Sequence, residues 1–130
     1  MNGRVLLDTN IVIAFFAHED IILENMKAVE KFFVPTVVLG ELYFGAGKSK
    51  KRVQNIRRIT ELVATTTILG TDADTALYYG QVKTELRQKG RPIPENDIWI
   101  AAIALQYDLM LITRDAHFEY IENLLTEEWK

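Results

Sequence analysis

Cysteine is absent from this 130-residue chain, which excludes disulfide bridges and thiolate metal sites. An excess of basic charge is also missing: the chain has 15 Lys and Arg residues and 18 Asp and Glu residues, which gives a net charge of -3. A generic polyanion-binding protein is strongly basic, so any contact with nucleic acid must be confined to one part of the surface. Only two histidines occur, and neither has the spacing of a metal-binding motif, so we interpret His18 and His117 as ordinary polar residues.

Long apolar runs are lacking too. No run approaches the roughly 20 residues that a membrane helix requires, and the first residues lack the apolar core of a signal peptide. We therefore expect a cytoplasmic protein. With 48% hydrophobic residues and no visible linker, residues 1–130 are expected to form a single domain that buries roughly two-thirds of its unfolded surface.

Short apolar runs alternate with segments of helical spacing along the sequence. This alternation predicts an α/β fold in three layers, with a mainly parallel central sheet flanked by helices. The helix predicted at residues 98–107 is apolar nearly all round and leads directly into a buried strand. The predicted strands are 5–7, 32–34, 66–69 and 109–113, followed by a weak last strand within 123–129.

Finer features of two helices also follow from the sequence. Thr71 and Asp74 have the spacing of a capping box for the helix that ends at Gly90. The basic helix before it is predicted to bury one apolar face, which consists of Val53, Ile56, Ile59 and Val63.

Three of four candidate carboxylates, those of Asp8, Glu41 and Asp97, are the only charged groups in their apolar segments, and the fourth, Asp115, ends a predicted strand. Asp8 and Asp115 each follow a predicted strand, Asp97 stands at the start of the most apolar helix, and Glu41 is the only charged residue between positions 33 and 47. For each aspartate taken alone, capping of a helix is an equally good interpretation. Burial of a lone carboxylate is costly, however, so the joint pattern favours convergence. The expected place is the carboxyl edge of the sheet, where ligands of open α/β sheets bind.

Carboxylates that converge repel one another, and a hard divalent cation held by oxygen atoms would neutralise them. Mg²⁺ or Mn²⁺ suits such a donor set better than zinc, which prefers nitrogen and sulfur. A metal with few protein ligands keeps bound waters, can lower the pKa of one of them and can bind a phosphate. Such a site favours phosphodiester hydrolysis.

Three segments resemble, in order and spacing, the motifs of PIN-domain ribonucleases, and in particular VapC-type toxins of toxin–antitoxin pairs. They are LLDTNIVIAFF (6–16), VVLGELYFGAG (37–47) and IPENDIWIAAIALQYDLMLITRDAHF (93–118). The resemblance spans essentially the whole chain. It implies a Mg²⁺- or Mn²⁺-dependent endoribonuclease that is usually homodimeric and is inhibited by a cognate VapB antitoxin. It further implies that the catalytic, metal-binding acids are Asp8, Glu41, Asp97 and Asp115, supported by Asn10 and Thr113.

One position departs from the family pattern. Members often carry a glycine in the turn between the last long helix and its strand, where this chain has Tyr107 and Asp108. We expect this difference to affect the geometry of the turn and not the acids.

The basic side chains are concentrated in residues 48–58, with a few more near position 90. One interpretation is a solvated helix face without further function. The other is that these side chains supply the phosphate contacts that an acidic protein otherwise lacks. The candidate RNA-binding residues are Lys50, Lys51, Arg57, Arg58, Arg87, Lys89 and Arg91.

A surplus of apolar residues lies close to Asp8 and Glu41 in the sequence. They would suit the docking of an antitoxin helix, although packing inside the domain or a homodimer contact would explain them equally well. These residues are Ile13, Phe15, Phe16, Leu42, Tyr43 and Phe44.

Other classes of protein fit the pattern less well. A receiver-like signalling domain needs paired acids after its first strand, and a haloacid-dehalogenase-like phosphatase needs a second aspartate where this chain has Asn10. A catalytically silent PIN-like RNA-binding module remains open, because only an assay separates it from a nuclease. The sequence does not indicate which RNA is cut.

Overall fold

A five-stranded parallel sheet runs through the computed structural model, which describes residues 3–130. Its strands are β1 (Arg4–Leu7), β2 (Lys31–Pro35), β3 (Thr67–Leu69), β4 (Met110–Ile112) and β5 (Thr126–Glu127). They lie in the order β3-β2-β1-β4-β5, and each neighbouring pair is parallel. All carboxyl ends therefore point to one edge, and β1 lies in the middle.

Helices connect and flank these strands. Connections between parallel strands are right-handed as a rule, and with this strand order the rule puts the helices between β1 and β3 on one face of the sheet and those between β3 and β4 on the other. The predicted α/β fold with a parallel central sheet is thereby confirmed. Within residues 3–130 the helices are α1 (Thr9–Phe16), α2 (Asp20–Ala28), α3 (Thr36–Lys48), α4 (Arg52–Thr65), α5 (Ala73–Gln88), α6 (Glu95–Gln106) and a 3-10 helix (Ala116–Tyr120).

Many of the fully buried side chains lie in β1, β4 and α6. Leu6 of β1 and Leu111 of β4 are paired neighbours and are fully buried, as are Ile100 and Ile103 of α6. Helix α6 is apolar nearly all round because little of its surface faces solvent. None of the described helices is both long and apolar enough to cross a membrane.

The start of α5 differs from the prediction by one residue. The capping box uses Asp72 and Thr75, not Thr71 and Asp74: the Asp72 carboxylate accepts the Thr75 N–H at 3.1 Å, and the Thr75 hydroxyl accepts the Asp72 N–H at 3.0 Å. Thr75 is fully buried and also donates to the side chain of Gln106 in α6. This contact with a neighbouring helix fixes where α5 begins.

The buried face of α4 is also different from the prediction. Ile59 and Leu62 are buried, whereas Val53 is 74% exposed and Val63 is exposed as well. Val53 and Leu62 are about two and a half helical turns apart and so face opposite directions. Packing against α3 selects the face that contains Leu62.

The end of α6 leads into β4 through a tight turn at Asp108. Its backbone is left-handed, with a φ of 53°. The Asp108 N–H donates to the Leu105 carbonyl at 3.3 Å, and the Leu109 N–H donates to the Ala104 carbonyl at 2.9 Å. This pair of bonds is a Schellman motif, which favours glycine at the left-handed position. The departure from the family pattern therefore lies where a glycine would relieve backbone strain.

Candidate active site

Asp8 lies at the carboxyl end of β1 and is the N-cap of α1. One carboxylate oxygen accepts the Thr9 N–H at 2.8 Å, and the other accepts the Thr113 hydroxyl at 2.7 Å. The residue is only 4% exposed. Burial raises the pKa of Asp8, with smaller contributions from the nearby charges of Glu41 and Asp115, while the Thr113 and Thr9 bonds work in the opposite direction. Asp8 therefore caps a helix and also faces other acids.

Glu41 reaches the same place from the second turn of α3. Its carboxylate accepts the Thr9 hydroxyl at 2.6 Å. Thr9 is thus hydrogen-bonded to Asp8 through its backbone and to Glu41 through its side chain. The sequence interpretation did not single out Thr9, because nothing local indicates a partner 32 positions away.

Asp97 lies within the first turn of α6, two residues inside the helix and not before it. Its side chain is 14% exposed. Burial raises the pKa of Asp97 to about 6, the negative charge of Asp8 adds to the shift, and a hydrogen bond with His117 opposes it. Smaller contributions come from Asp115 and Glu41. Asp97 lies 3.5 Å from the His117 ring nitrogen, which is also 3.1 Å from Asp115, so these two acids converge on one site.

Asp115 follows β4 and is the N-cap of the 3-10 helix. Its carboxylate accepts the His117 N–H at 2.9 Å, and its own N–H donates to the Thr113 hydroxyl at 3.0 Å. Thr113 therefore contacts both Asp8 and Asp115. A single threonine in this way joins the loops that follow β1 and β4.

His117 does not match its interpretation as an ordinary polar residue. Its Nδ1 atom lies 3.1 Å from a carboxylate oxygen of Asp115 and 3.5 Å from one of Asp97. The short 3-10 helix places the ring there, and the sequence contains no ligand spacing that reveals it. His18 is exposed in the turn after α1 and lies outside this cluster.

Asn10 connects two of the loops. Its side-chain amide nitrogen donates to an Asp8 carboxylate oxygen at 3.4 Å, and its side-chain oxygen accepts the Arg114 N–H at 3.2 Å. The first of these bonds is long. The main effect of Asn10 is therefore to tie the start of α1 to the segment that carries Asp115.

The donor set suits a hard divalent cation. Ligand atoms of Asp97, Asp115 and His117 lie within 4.8 Å of one another. Among residues 3–130, no lysine or arginine forms an ion pair with any of the four acids. Burial is the main cause of the raised pKa of Asp97, and the negative charges of the other three acids add to it. Oxygen-rich sites of this kind hold Mg²⁺ or Mn²⁺ through a few carboxylates and several waters.

A cleft of about 340 Å³ opens beside Glu41, between α1, α3 and α4. Arg58, from the basic segment, lines it together with apolar residues. Ile13 is 55% exposed there, whereas Leu42 is buried at its base. Tyr43 and Phe44 are exposed on α3. The residues that line the cleft are Ile13, Phe16, Ala17, Glu41, Leu42, Gly45, Ala46, Asn55, Arg58 and Ile59.

The remaining candidate RNA-binding residues are exposed but are not all free of contacts. Lys89 forms an ion pair with Glu122 at 3.4 Å, and the Arg91 guanidinium lies over the Tyr120 ring at 4.3 Å. The others on the surface are Lys50, Lys51, Arg57 and Arg87.

A model of the PIN domain family matches residues 5–124 of this sequence. The chain belongs to the PIN domain family and, within it, to the VapC ribonucleases.

Individual relatives match nearly the full length. Ribonuclease VapC2 of Rickettsia felis is 36% identical over 129 residues, which cover 95% of this chain and 96% of the relative. The tRNA(fMet)-specific endonuclease VapC of Shigella flexneri is 32% identical and covers 97% of this chain and 98% of its own length. The crystal structure of VapBC2 from Rickettsia felis, bound to a promoter DNA fragment, superposes with a TM-score of 0.92 at 33% identity. That match covers 98% of this chain and 99% of the solved one.

Proposed function

We propose that this protein is a metal-dependent endoribonuclease and the toxin of a VapBC-type toxin–antitoxin pair. The convergence of four carboxylates at the carboxyl edge of the sheet carries the proposal, because such a cluster is costly unless a cation neutralises it. Membership of the VapC ribonucleases supports the reaction class. The proposed catalytic, metal-binding residues are Asp8, Glu41, Asp97 and Asp115, and the proposed ions are Mg²⁺ and Mn²⁺.

The chain's own residues fix the acids before any ion binds. The Thr113 hydroxyl donates to the Asp8 carboxylate and accepts the backbone N–H of Asp115, while the Thr9 hydroxyl donates to Glu41. Asn10 supports the same arrangement through Arg114. When bound, the metal supplies a water of lowered pKa and neutralises charge on a phosphate. Arg58, at the border of the acidic site, is placed to contact a neighbouring phosphate of the RNA.

Replacement of single acids tests the catalytic assignment. Asp8→Asn and Asp97→Asn should each abolish Mg²⁺-dependent cleavage while the circular dichroism spectrum stays native. Asparagine keeps the size of the side chain and, at position 8, the ability to cap α1. Asp74→Asn is the matched control, because Asp74 also lies in the first turn of a helix but is exposed. Wild-type cleavage by either site variant would refute the assignment, and a wild-type protein without cleavage would favour the silent RNA-binding module.

The RNA target can be found by mapping cleavage sites in total cellular RNA. The Shigella flexneri relative is named as specific for tRNA(fMet), so we propose tRNA as the first substrate class to test. Total cellular RNA treated with the purified protein and Mg²⁺ should show new 5′ ends clustered in few species. The Asp97→Asn protein provides the background, since it keeps the surface but lacks the acid.

We propose that a VapB-like antitoxin occupies the cleft beside Glu41. The cleft combines exposed apolar surface at Ile13 with acids that a partner's arginine or lysine could contact. Co-expression with the neighbouring reading frame should give a stable complex that is inactive until the partner is proteolysed. A complex that cleaves RNA as fast as the free protein would refute this mode of inhibition but not the nuclease.

A substitution in the cleft tests where the partner binds. Ile13→Ser should weaken the complex, because it removes an exposed apolar contact. Leu77→Ser provides the control, since Leu77 is similarly exposed but lies on α5, away from the cleft. Equal affinities of the two variants for the partner would place the interface elsewhere.

We further propose that residues 1–130 form one domain, that the protein is a homodimer and that it acts in the cytoplasm. The match over residues 5–124 supports the first point. Light scattering at several concentrations would give the mass of the assembly. A monomer at micromolar concentration would contradict the second point.

A further inference from the structure

His117 is a basic side chain in contact with the proposed metal-binding acids. Its ring nitrogen Nδ1 lies 3.1 Å from Asp115 and 3.5 Å from Asp97, and the three ligand atoms are mutually within 4.8 Å. The side chain is 51% exposed, so the ring is accessible from solvent. The site therefore offers a nitrogen atom as a possible metal ligand in addition to its carboxylate oxygens.

The backbone holds the imidazole in place. The His117 N–H donates to the same Asp115 carboxylate that its ring approaches, at 2.9 Å. Phe118, the next residue, is almost completely buried and anchors the 3-10 helix in the core. The hydrogen bond to Asp115 and the buried Phe118 hold the backbone of His117. The ring can therefore move away from Asp97 only by rotation about its own side-chain bonds.

We propose that His117 is a ligand of the metal ion and makes the site prefer Mn²⁺ over Mg²⁺. This inference rests on the proposed function, because it requires a divalent ion among the four acids. Mg²⁺ strongly prefers oxygen ligands, whereas Mn²⁺ accepts an imidazole nitrogen more readily. A nitrogen within 3.5 Å of two carboxylates thus adds affinity for Mn²⁺ and little for Mg²⁺.

The other role open to His117 is to donate a hydrogen bond that positions Asp97 and Asp115. Substitution by glutamine separates the two roles. A glutamine amide retains a hydrogen-bond donor but does not offer a nitrogen lone pair to a metal. If His117 only positions the acids, His117→Gln keeps the wild-type ratio of Mn²⁺ to Mg²⁺ affinity.

The test measures binding directly in the full-length protein. Isothermal titration with each ion should show that His117→Gln weakens Mn²⁺ binding by about tenfold or more and changes Mg²⁺ binding far less. Electron spin echo modulation of bound Mn²⁺ should reveal coupling to an imidazole nitrogen in the wild type and not in the variant. His18→Asn is the control, because it removes the other histidine at a left-handed position that asparagine tolerates. It should leave both measurements unchanged.

Two results would overturn the proposal in distinguishable ways. Mn²⁺ that binds the wild type, is lost in Asp97→Asn and shows no nitrogen coupling would exclude His117 as a ligand and leave the nuclease intact. Equal weakening of both ions in His117→Gln would likewise reduce His117 to a positioning residue. A wild-type protein that binds neither ion would instead refute the metal-dependent function itself.

Discussion

Asp97 carries much of the electrostatic cost of the acidic site. Its pKa is raised from 3.8 to about 6 by burial and by the neighbouring acids. Between these values the folded protein binds more protons than the unfolded chain. The free energy of unfolding of the metal-free protein therefore falls as the pH rises from about 4 to about 6 and remains lower above that range.

Asp97→Asn should remove this cost. At about pH 8 in the presence of a chelator, we expect the variant to be more stable by roughly 2 kcal/mol. That figure is the pKa shift converted to free energy, less a small loss of favourable interaction with the N-terminus of α6. At about pH 4 the difference should vanish, because the wild-type acid is then protonated in the folded state.

Urea unfolding at the two pH values measures the effect. Asp74→Asn should show no comparable gain, since Asp74 is exposed in the first turn of α5. A pH-independent difference between Asp97→Asn and the wild type would mean that burial and like charge do not raise the pKa of this group.

Some residues of the acidic site can be recognised from the local sequence, and others only from the three-dimensional structure. Asp8, Glu41 and Asp97 each stand out because a lone charge in an apolar segment is visible within a few residues, and Asp115 stands out because it directly follows a buried strand. His117 carries no such signal. It has no partner at a metal-ligand spacing along the chain, and only the three-dimensional course of the 3-10 helix brings its ring to Asp97.

At the scale of elements, two helices end in the same way with different residues. Helix α5 ends with Gly90 at a φ of 66°, and the Arg91 N–H donates to the Leu86 carbonyl at 2.9 Å. Helix α6 ends with Asp108 in the equivalent left-handed position. Glycine adopts this conformation without a steric cost, whereas aspartate does not.

Reciprocal substitutions should therefore have opposite effects. Asp108→Gly is expected to raise the free energy of unfolding by about 1 kcal/mol, and Gly90→Asp to lower it by about the same amount. Thermal unfolding of both variants at one pH measures the pair. If Asp108→Gly destabilises the protein, the aspartate side chain makes a favourable contact that outweighs its backbone strain.

Some features of the elements depend on tertiary contacts that no local pattern contains. The strand and helix alternation follows from hydrophobic periodicity, which is why the α/β fold was predictable. The observed capping box of α5 lies one residue after the predicted one, because Thr75 is hydrogen-bonded to Gln106, 31 positions away. Val53 is apolar and was predicted to be buried, but it is exposed because the packing of α4 on α3 determines which side of α4 faces inward.

For the whole molecule, charge is distributed unevenly in spite of the net value of -3. The exposed basic side chains of residues 48–58 adjoin the cleft through Arg58, and Glu41, one of the four acids, lines the same cleft. An RNA strand that crosses this region would place phosphates on the basic side chains and one phosphate near the acids. The proposed contacts are local, as a chain with this composition requires.

Replacement of Lys50, Lys51 and Arg58 by alanine together should weaken RNA binding and flatten its salt dependence. Loss of three phosphate contacts on single-stranded RNA should reduce the slope of log affinity against log salt by about 2. The control carries alanine at Lys27, Lys31 and Lys130, which are exposed, change the net charge equally and lie outside the basic segment. Fluorescence anisotropy measures RNA binding by the two triple variants, each made in a catalytically inactive protein. Equal slopes for the two would mean that the basic segment is a solvated surface without a role in RNA binding.

Strand order could not be derived from the sequence in the same way as the strands themselves. β1 lies between β2 and β4, so the first strand pairs with one that follows it by more than 100 residues. Alternation of strands and helices is compatible with several such orders. Only long-range packing selects the one that brings Asp8 beside Asp115.

The hydrogen bond from Thr113 to Asp8 joins residues 105 positions apart. A chain emerging from the ribosome acquires Asp8 early, whereas Thr113 and Asp115 are added near the end of the matched region. Until those residues are available, β1 lacks the β4 neighbour that completes the acidic cluster. An unfinished polypeptide therefore carries no assembled acidic cluster, and under the proposed function it would gain nuclease activity only after β4 has been synthesised and has paired with β1.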